Sequence, residues 1–369
     1  MTTVVSPETT PHEPDANAAQ LSAEETRGLS QSQIIRKRFF GHTGAMVGLI
    51  VFALVFILVF SASGIKLWGF INIPGWWHYS YTDVPPIENN GVPTFTFPFN
   101  FGDHPFGQDR VGRDMFAMTM RGAQLSIIVM FTIGVIGTAI GVIFGALAGY
   151  FRGIVETILM RFTDMIIIIP VIVIAAVMGE LVGQSGRGQT VLDASGNAVV
   201  QTSWIDDVFS WLQQNLGVVL LGIFLGFVIW TGLARLVRGE FLTLREREFV
   251  DAARIAGASN FRIIFKHILP NAVGVIIVNS TLLMSSAILL EAGLSYLGFG
   301  VKAPDTSLGL LVVQNQEAFS TRPWLFWWPG LFIVVICLCI NFIGDGLRDA
   351  FDPRQKKFNS KKAKSVSAS

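Results

Sequence analysis

The sequence predicts an all-α membrane protein with six transmembrane helices and both termini in the cytoplasm. Three observations lead there. Of 369 residues, 51% are hydrophobic and 14% charged, with mean hydropathy +0.54, too apolar for a soluble globular domain. The apolar residues gather in six blocks near the ~20 residues that cross a bilayer: about 44–62, 125–148, 164–182, 216–237, 272–292 and 328–346. The basic residues are lopsided. With the N-terminus inside, Arg27, Arg36 to Arg38, Arg152, Arg161, the cluster from Arg235 to Lys266 and the run from Arg348 to Lys364 all fall on the cytoplasmic side. Only Lys66, Arg110, Arg113, Arg121, Arg187, Lys302 and Arg322 fall outside, as the positive-inside rule requires.

Residues 1–30, rich in Thr, Pro, Glu, Ala and Ser and without an apolar run, read as a disordered cytoplasmic tail rather than a secretory signal. The membrane domain runs over 31–355, and a basic tail, 356–369, follows. Arg36-Lys37-Arg38 before the first block marks an uncleaved signal anchor. The first outside loop, 63–124, carries Trp68, Trp76, Trp77, Tyr79, Tyr81, Phe95, Phe97, Phe99, Phe101 and Phe106. These aromatics either anchor and pack a small cap or present a docking surface to an external partner. Gly137, Gly141, Gly145 and Gly149, four apart in span two, let a neighbouring helix approach closely. Pro170 kinks span three. The second outside loop, 183–215, reads as a hairpin with Gly186, Gly188 and Gly196, then a short amphipathic piece at Trp204-Ile205-Asp206-Asp207. Cys337 and Cys339 are small apolar fillers of span six, since two residues apart on a helix they point in different directions.

Span five is polar for its depth. Asn279, Thr281, Ser285 and Ser286, beside Ser280, either bridge helices or line a wet translocation path. Glu291, at the outer end, is a functional candidate because it is ionisable, or simply reaches water.

No soluble catalytic signature is present. A G-x-x-x-x-G-K-[ST] phosphate loop and H-E-x-x-H are both missing, and His104, Asp109 and Asp114 have no recognised metal-ligand spacing. The chain therefore reads as a non-enzyme with no catalytic residue, no metal and no bound cofactor; nucleic acid is not an expected partner, membrane lipid is. What stands out is the cytoplasmic loop 238–271, above all Arg245 to Asn271. Glu248 to Ala256 forms one short helix whose Ala252, Ala253 and Ala256 make a low-relief stripe, with Glu248, Arg245 and Arg254 at its edges. Gly257 ends it, Ser259 caps the next helix, and Pro270-Asn271 opens span five. A bulky residue at Ala253, or proline at Gly257, is expected to leave the protein in the membrane and break coupling.

Glu248-Phe249-Val250-Asp251-Ala252-Ala253-Arg254, Gly257-Ala258-Ser259 and His267-Ile268-Leu269-Pro270-Asn271 resemble the EAA motif of ABC-importer permeases, in the oligopeptide/dipeptide/nickel transport branch. Phe106-Gly107-Gln108-Asp109 with Gly112-Arg113-Asp114 resembles that family's G-T-D-x-x-G-R-D segment, Gln108 replacing Thr. Gly149-Tyr150-Phe151-Arg152-Gly153, the run Met160-Arg161-Phe162-Thr163-Asp164 to Pro170, Glu291 to Gly300, and Gly344-Asp345-Gly346-Leu347-Arg348-Asp349 to Asp352-Pro353-Arg354 match too. The last of these resembles the C-type permease. The resemblance covers about 30–355. It implies the type I ABC-importer permease fold in a bacterial plasma (inner) membrane. It also implies that Glu248, Ala252, Ala253, Arg254, Gly257, Ala258 and Pro270 couple to ATPase subunits. The implied partners are a homologous B-type permease, two ATP-binding subunits carrying ATP and Mg2+, an extracytoplasmic substrate-binding protein and a peptide substrate. Nickel or another small solute is the alternative cargo within the family. An ATP-independent channel or secondary transporter is the alternative outside it.

Overall fold

The computed structural model describes residues 31–67, 71–95, 102–184, 189–192, 198–201, 204–301 and 305–351. The expected tails at 1–30 and 356–369 lie outside these residues, as do Trp68, Phe97, Phe99, Phe101, Gly186, Gly188, Gly196 and Asp352-Pro353-Arg354.

The described chain is mostly helical. In order it forms α1 (Gln31–Phe40), α2 (Thr43–Ser63), the paired strands β1 (Ile65–Leu67) and β2 (Ile71–Ile73), α3 (Met115–Phe151), α4 (Gly153–Ile168) and α5 (Val171–Gln184). A hairpin of β3 (Gln189–Leu192) and β4 (Ala198–Gln201) follows, then α6 (Trp204–Ile229), α7 (Thr231–Arg245), α8 (Glu248–Ile255) and α9 (Asn260–Arg262). A π turn over Ile263–Ile268 leads into α10 (Leu269–Tyr296), α11 (Leu308–Asn315) and α12 (Trp324–Phe351). Among the described residues four helical stretches are long and apolar enough to cross a membrane: α2, α3, Asn260–Tyr296 and α12. Two bent pairs raise the number to six if each is one span.

The bends have different causes. Between α4 and α5 the axis turns by 78° at Pro170, whose missing N–H and ring end the helix. The expected kink is therefore a break. Between Gly217–Ile229 and Thr231–Arg245 it turns by 47° at Trp230, with no proline to announce it. Trp230 is buried against Phe144, ring centroids 4.5 Å apart, and its Nε1–H donates to Phe227 O at 2.8 Å.

The central element is α3, which packs on α2, α6, α7, α10 and α12. It begins well before its apolar block because Asp114 caps it, accepting from Ala117 N at 2.8 Å. Its glycines are the reason α7 lies so near. A Cβ on Gly145 would stand 2.5 Å from Ala234 O, and one on Gly149 would stand 2.6 Å from Phe241 Cβ. Arg238 Nε donates to Glu156 at 2.8 Å and Arg235 pairs with Asp164 at 2.6 Å, holding α4 along α7.

Two apolar clusters fill the interior. One joins α2, α3, α10, α11 and α12 and includes Val59, Ile127, Met130, Ile288, Leu308 and Ile336. The other lies at the opposite end of α3. It joins Ala146 and Tyr150 of α3, Val237 and Phe241 of α7, Val250 and Ala253 of α8, Ile263, Ile264 and Ile268 of the π turn, and Ala272 and Ile276 of α10.

Candidate coupling surface

Helix α8 has two faces. Val250 and Ala253 are buried in the second cluster, whereas Glu248, Ala252, Ile255 and Ala256 are exposed, Ile255 at 89%. Their spacing of three and four residues puts the exposed set on one stripe. Ala253 thus belongs to the chain's own core rather than to an outward alanine stripe, and bulk there strikes the interior. Arg254 is exposed and pairs with Asp251 at 3.0 Å.

The turn after α8 is a Schellman cap. Gly257 has φ +78, Ala258 N donates to Ala253 O at 3.0 Å and Gly257 N to Arg254 O at 2.9 Å. A Cβ at Gly257 would meet nothing within 4 Å, so glycine is needed for its backbone angle alone. Ser259 Oγ then accepts from Arg262 N at 3.4 Å.

Three contacts from the end of α3 hold this loop. Tyr150 Oη donates to Asn260 Oδ1 at 2.7 Å, Arg245 donates to Tyr150 O, and Arg152 pairs with Glu246 at 3.0 Å. Arg152 and Gly153 both have positive φ, 51 and 60, so the chain turns sharply there and swings the Arg152 side chain toward the loop. The Gly149-to-Gly153 motif carries these clamp residues. The motif is visible in the sequence, but its clamping role depends on contacts with Arg245, Glu246 and Asn260 that only the fold brings near.

Beyond the loop, the path into α10 is a helix with one wide turn. Leu269 N donates to Ile264 O, five residues back. Pro270 has no N–H to continue the ladder and would crowd the carbonyl four residues back; the π turn relieves that. Asn271 Nδ2 donates to His267 O at 2.7 Å. Since Ile263, Ile264 and Ile268 pack with Val250 and Ala253, α8 and the start of α10 share one core.

The span-five candidates separate. Ser285 is buried and accepts from Asn341 Nδ2 at 3.0 Å, and Ser280 accepts from Thr138 Oγ1 at 2.9 Å; both join helices. Asn279 and Thr281 are half-buried and donate to their own helix, to Val275 O and Val278 O. Ser286 is exposed. Glu291 is fully buried: it does not reach water, and it accepts from Ser126 Oγ at 2.9 Å and Ser295 Oγ at 2.8 Å.

The Phe106-to-Asp114 motif is knotted on itself. Asp109 Oδ1 accepts from the backbone N–H of Val111, Gly112 and Arg113 at 2.9, 2.9 and 2.8 Å, and its Oδ2 from Arg113 Nε at 2.7 Å. Gln108 donates to Pro86 O and Gly112 O and accepts from Glu88 N. Asp114 takes His104 Nδ1–H at 3.0 Å and Trp77 Nε1–H at 2.8 Å besides its cap. His104 and Asp114 therefore meet, and among the described residues no three of His, Cys, Asp and Glu are placed to hold a metal. Nearby, Arg121 pairs with Asp305 at 2.9 Å and lies over the Tyr81 ring. Burial, then the Asp305 carboxylate, push the Tyr81 phenol up from its ordinary pKa. Asp109→Asn is expected to lower stability by about 2 kcal/mol, since hydrogen bonds to a charged acceptor are each worth ~1.5–3. Thermal unfolding of the purified chain in detergent checks it.

A family described as "Binding-protein-dependent transport system inner membrane component" matches residues 141–357, and one described as "N-terminal TM domain of oligopeptide transport permease C" matches residues 30–90. The oligopeptide transport system permease protein OppC of Haemophilus influenzae is 31% identical over 340 residues, 92% of this chain and 94% of that one. OppC of Mycobacterium bovis is 31% identical over 333 residues, 90% of this chain and 97% of that one. Among solved structures, a chain of the inward-facing MetNI methionine ABC transporter aligns with TM-score 0.46 at 19% identity, covering 64% of this chain and 98% of that one.

Proposed function

The chain belongs to the family of binding-protein-dependent transport system inner membrane components, in its oligopeptide-permease branch, and from that premise we propose that it forms half of an ATP-driven peptide import pore. A homologous B-type permease supplies the other half. Two ATPase subunits dock on the cytoplasmic loops and bind ATP with Mg2+, and an extracytoplasmic binding protein delivers peptide. The chain itself does no catalysis. In this reading α4–α5 and α6–α7 each count as one span, giving six in a bacterial plasma membrane with both termini in the cytoplasm.

The observation that carries the proposal is the two-faced α8. Its outward stripe, Glu248, Ala252, Ile255 and Ala256, is free for a partner, and its inward stripe shares a core with α3, α7 and the start of α10. A partner that binds one arrangement of α8 more tightly than another shifts the populations of the helices packed behind it.

The test is uptake and peptide-stimulated ATPase in a complex reconstituted with the ATPase subunits and binding protein. Uptake that stops on ATP depletion is expected; uptake that survives it overturns the reading in favour of a channel or secondary transporter. Nickel uptake in place of peptide uptake would reassign the cargo. Cysteines at Ser30 and Ser360 should be shielded from an impermeant thiol reagent added outside; labelling there would reverse the topology.

A further inference from the structure

Glu291 is a buried carboxylate whose partners among the described residues are hydroxyls, and those partners define what it does. It is 0% exposed, as are Ser126 and Ser307, and Ser295 is 1%. Two hydrogen-bond chains converge on it. In the first, Leu308 N donates to Ser126 Oγ at 3.3 Å and Ser126 Oγ donates to Glu291 Oε2 at 2.9 Å. In the second, Leu310 N donates to Ser307 Oγ at 3.2 Å, Ser307 and Ser295 hydroxyls lie 3.1 Å apart, and Ser295 Oγ donates to Glu291 Oε1 at 2.8 Å.

A hydroxyl has one proton to give. Ser295 spends its proton on Glu291, so Ser307 must donate to Ser295. Every hydrogen then points from the N-terminus of α11 toward the carboxylate. Free N–H groups and the helix dipole make that N-terminus positive, and the serine hydroxyls tie it to the two acceptor oxygens of Glu291. The contact is tight on both sides. A Cβ on Gly309 would stand 2.5 Å from Ala292 Cα, and one on Gly122 would stand 3.1 Å from Leu308 N.

We propose that Glu291 is a positioning residue of an outer seal. Through Ser126 and the Ser295–Ser307 pair, it locks the N-terminus of α11 across the ends of α3 and α10, so that the three move as one body. The word "outer" rests on the topology proposed above; the lock does not. The isosteric amide cannot replace the carboxylate. Its NH2 must face a hydroxyl that already accepts, leaving that hydroxyl's own proton without a partner.

The experiment places a cysteine at the buried Leu311 of α11, in a Cys337→Ala, Cys339→Ala background, and follows modification by an impermeant thiol reagent added outside intact cells. A reference cysteine at exposed Ser32 of α1, away from the α8 stripe, reads the other face in inverted vesicles. In the otherwise unchanged chain Leu311→Cys is protected. Glu291→Gln should raise its labelling rate at least tenfold and leave the reference rate unchanged, while Glu291→Asp, which keeps both acceptor oxygens, restores part of the protection. Because Gln has the shape of Glu, equal protection in Glu291→Gln overturns the proposal, as does fast labelling without any change at Glu291. If Glu291→Gln fails to insert, Ser126→Ala, which cuts one chain and spares the other, carries the test: faster labelling supports the lock and unchanged protection overturns it. The readout uses neither ATP nor peptide, so a failed lock and a failed transport function show separately. Labelling of Leu311→Cys only from the cytoplasmic side would overturn the assignment as an outer seal.

Discussion

Tryptophan in place of Ala252 is expected to abolish ATP-driven uptake while leaving the chain folded and in the membrane. Ala252 is exposed on α8, between Glu248 and Ile255, so added bulk meets solvent rather than the chain's own core. A partner seated on that stripe must then be pushed away, and losing a well-packed contact at the centre of an interface costs about 2 kcal/mol or more. Uptake should fall at least a hundredfold, equivalent to about 3 kcal/mol, and peptide should no longer stimulate the ATPase. Recovery of the chain on purification should not change. Normal stimulation would mean that α8 does not seat a partner. The neighbouring substitution gives the contrast. Ala253→Trp fills a site buried among Val250, Ile263 and Ile264, and should be lost at the level of folding.

Gly145→Leu should prevent accumulation of a folded chain altogether. The obstacle is backbone: a Cβ there would lie 2.5 Å from Ala234 O, 2.7 Å from Val237 Cβ and 3.0 Å from Arg238 N. A flexible side chain can yield to overpacking for ~1–3 kcal/mol, but here α7 as a whole has to move off α3. That would break Arg238–Glu156 and the second apolar cluster with it. Gly232→Ala is the matched control, since nothing lies within 4 Å of its would-be Cβ; it should be neutral or slightly stabilising, as alanine favours a helix by about 1 kcal/mol. Folded yield after detergent extraction distinguishes the two. A well-folded Gly145→Leu would show that the close approach of α3 and α7 is not required.

Much of this was readable in the residues. Apolar block length located the helices, and the four-residue glycine spacing marked the contact face of α3. Gly257 and Ser259 marked the turn after α8, because capping is local chemistry. What stayed hidden depends on contacts between distant segments. Which alanine of α8 faces inward is decided by Ile263 and Phe241, not by the alanines themselves. The bend at Trp230 has no proline to mark it and follows the glycine face of α3. Glu291 looked like a helix-end group near water, and only the placement of α11 against Ser126 encloses it. Asp109, Asp114 and His104 have no metal-ligand spacing in the sequence. Their real partners, three backbone N–H groups and Trp77, carry no sequence signature of their own.

The π turn over Ile263–Ile268 has one more consequence, for insertions and deletions. A wide turn holds a residue that the helix on either side does not need. Ile263 and Ile268 share a buried face at a spacing of five, and removing exposed Lys266 restores the ordinary spacing of four without rotating α10. Because the wide turn also relieves the carbonyl that Pro270 would crowd, the deletion is tolerated once Pro270 is replaced by alanine: the segment is a splice, the point along Asn260–Tyr296 where the chain then accepts a change in length by one. A second deletion has no such reserve. It would turn α10 by about 100° and carry Glu291 away from Ser126.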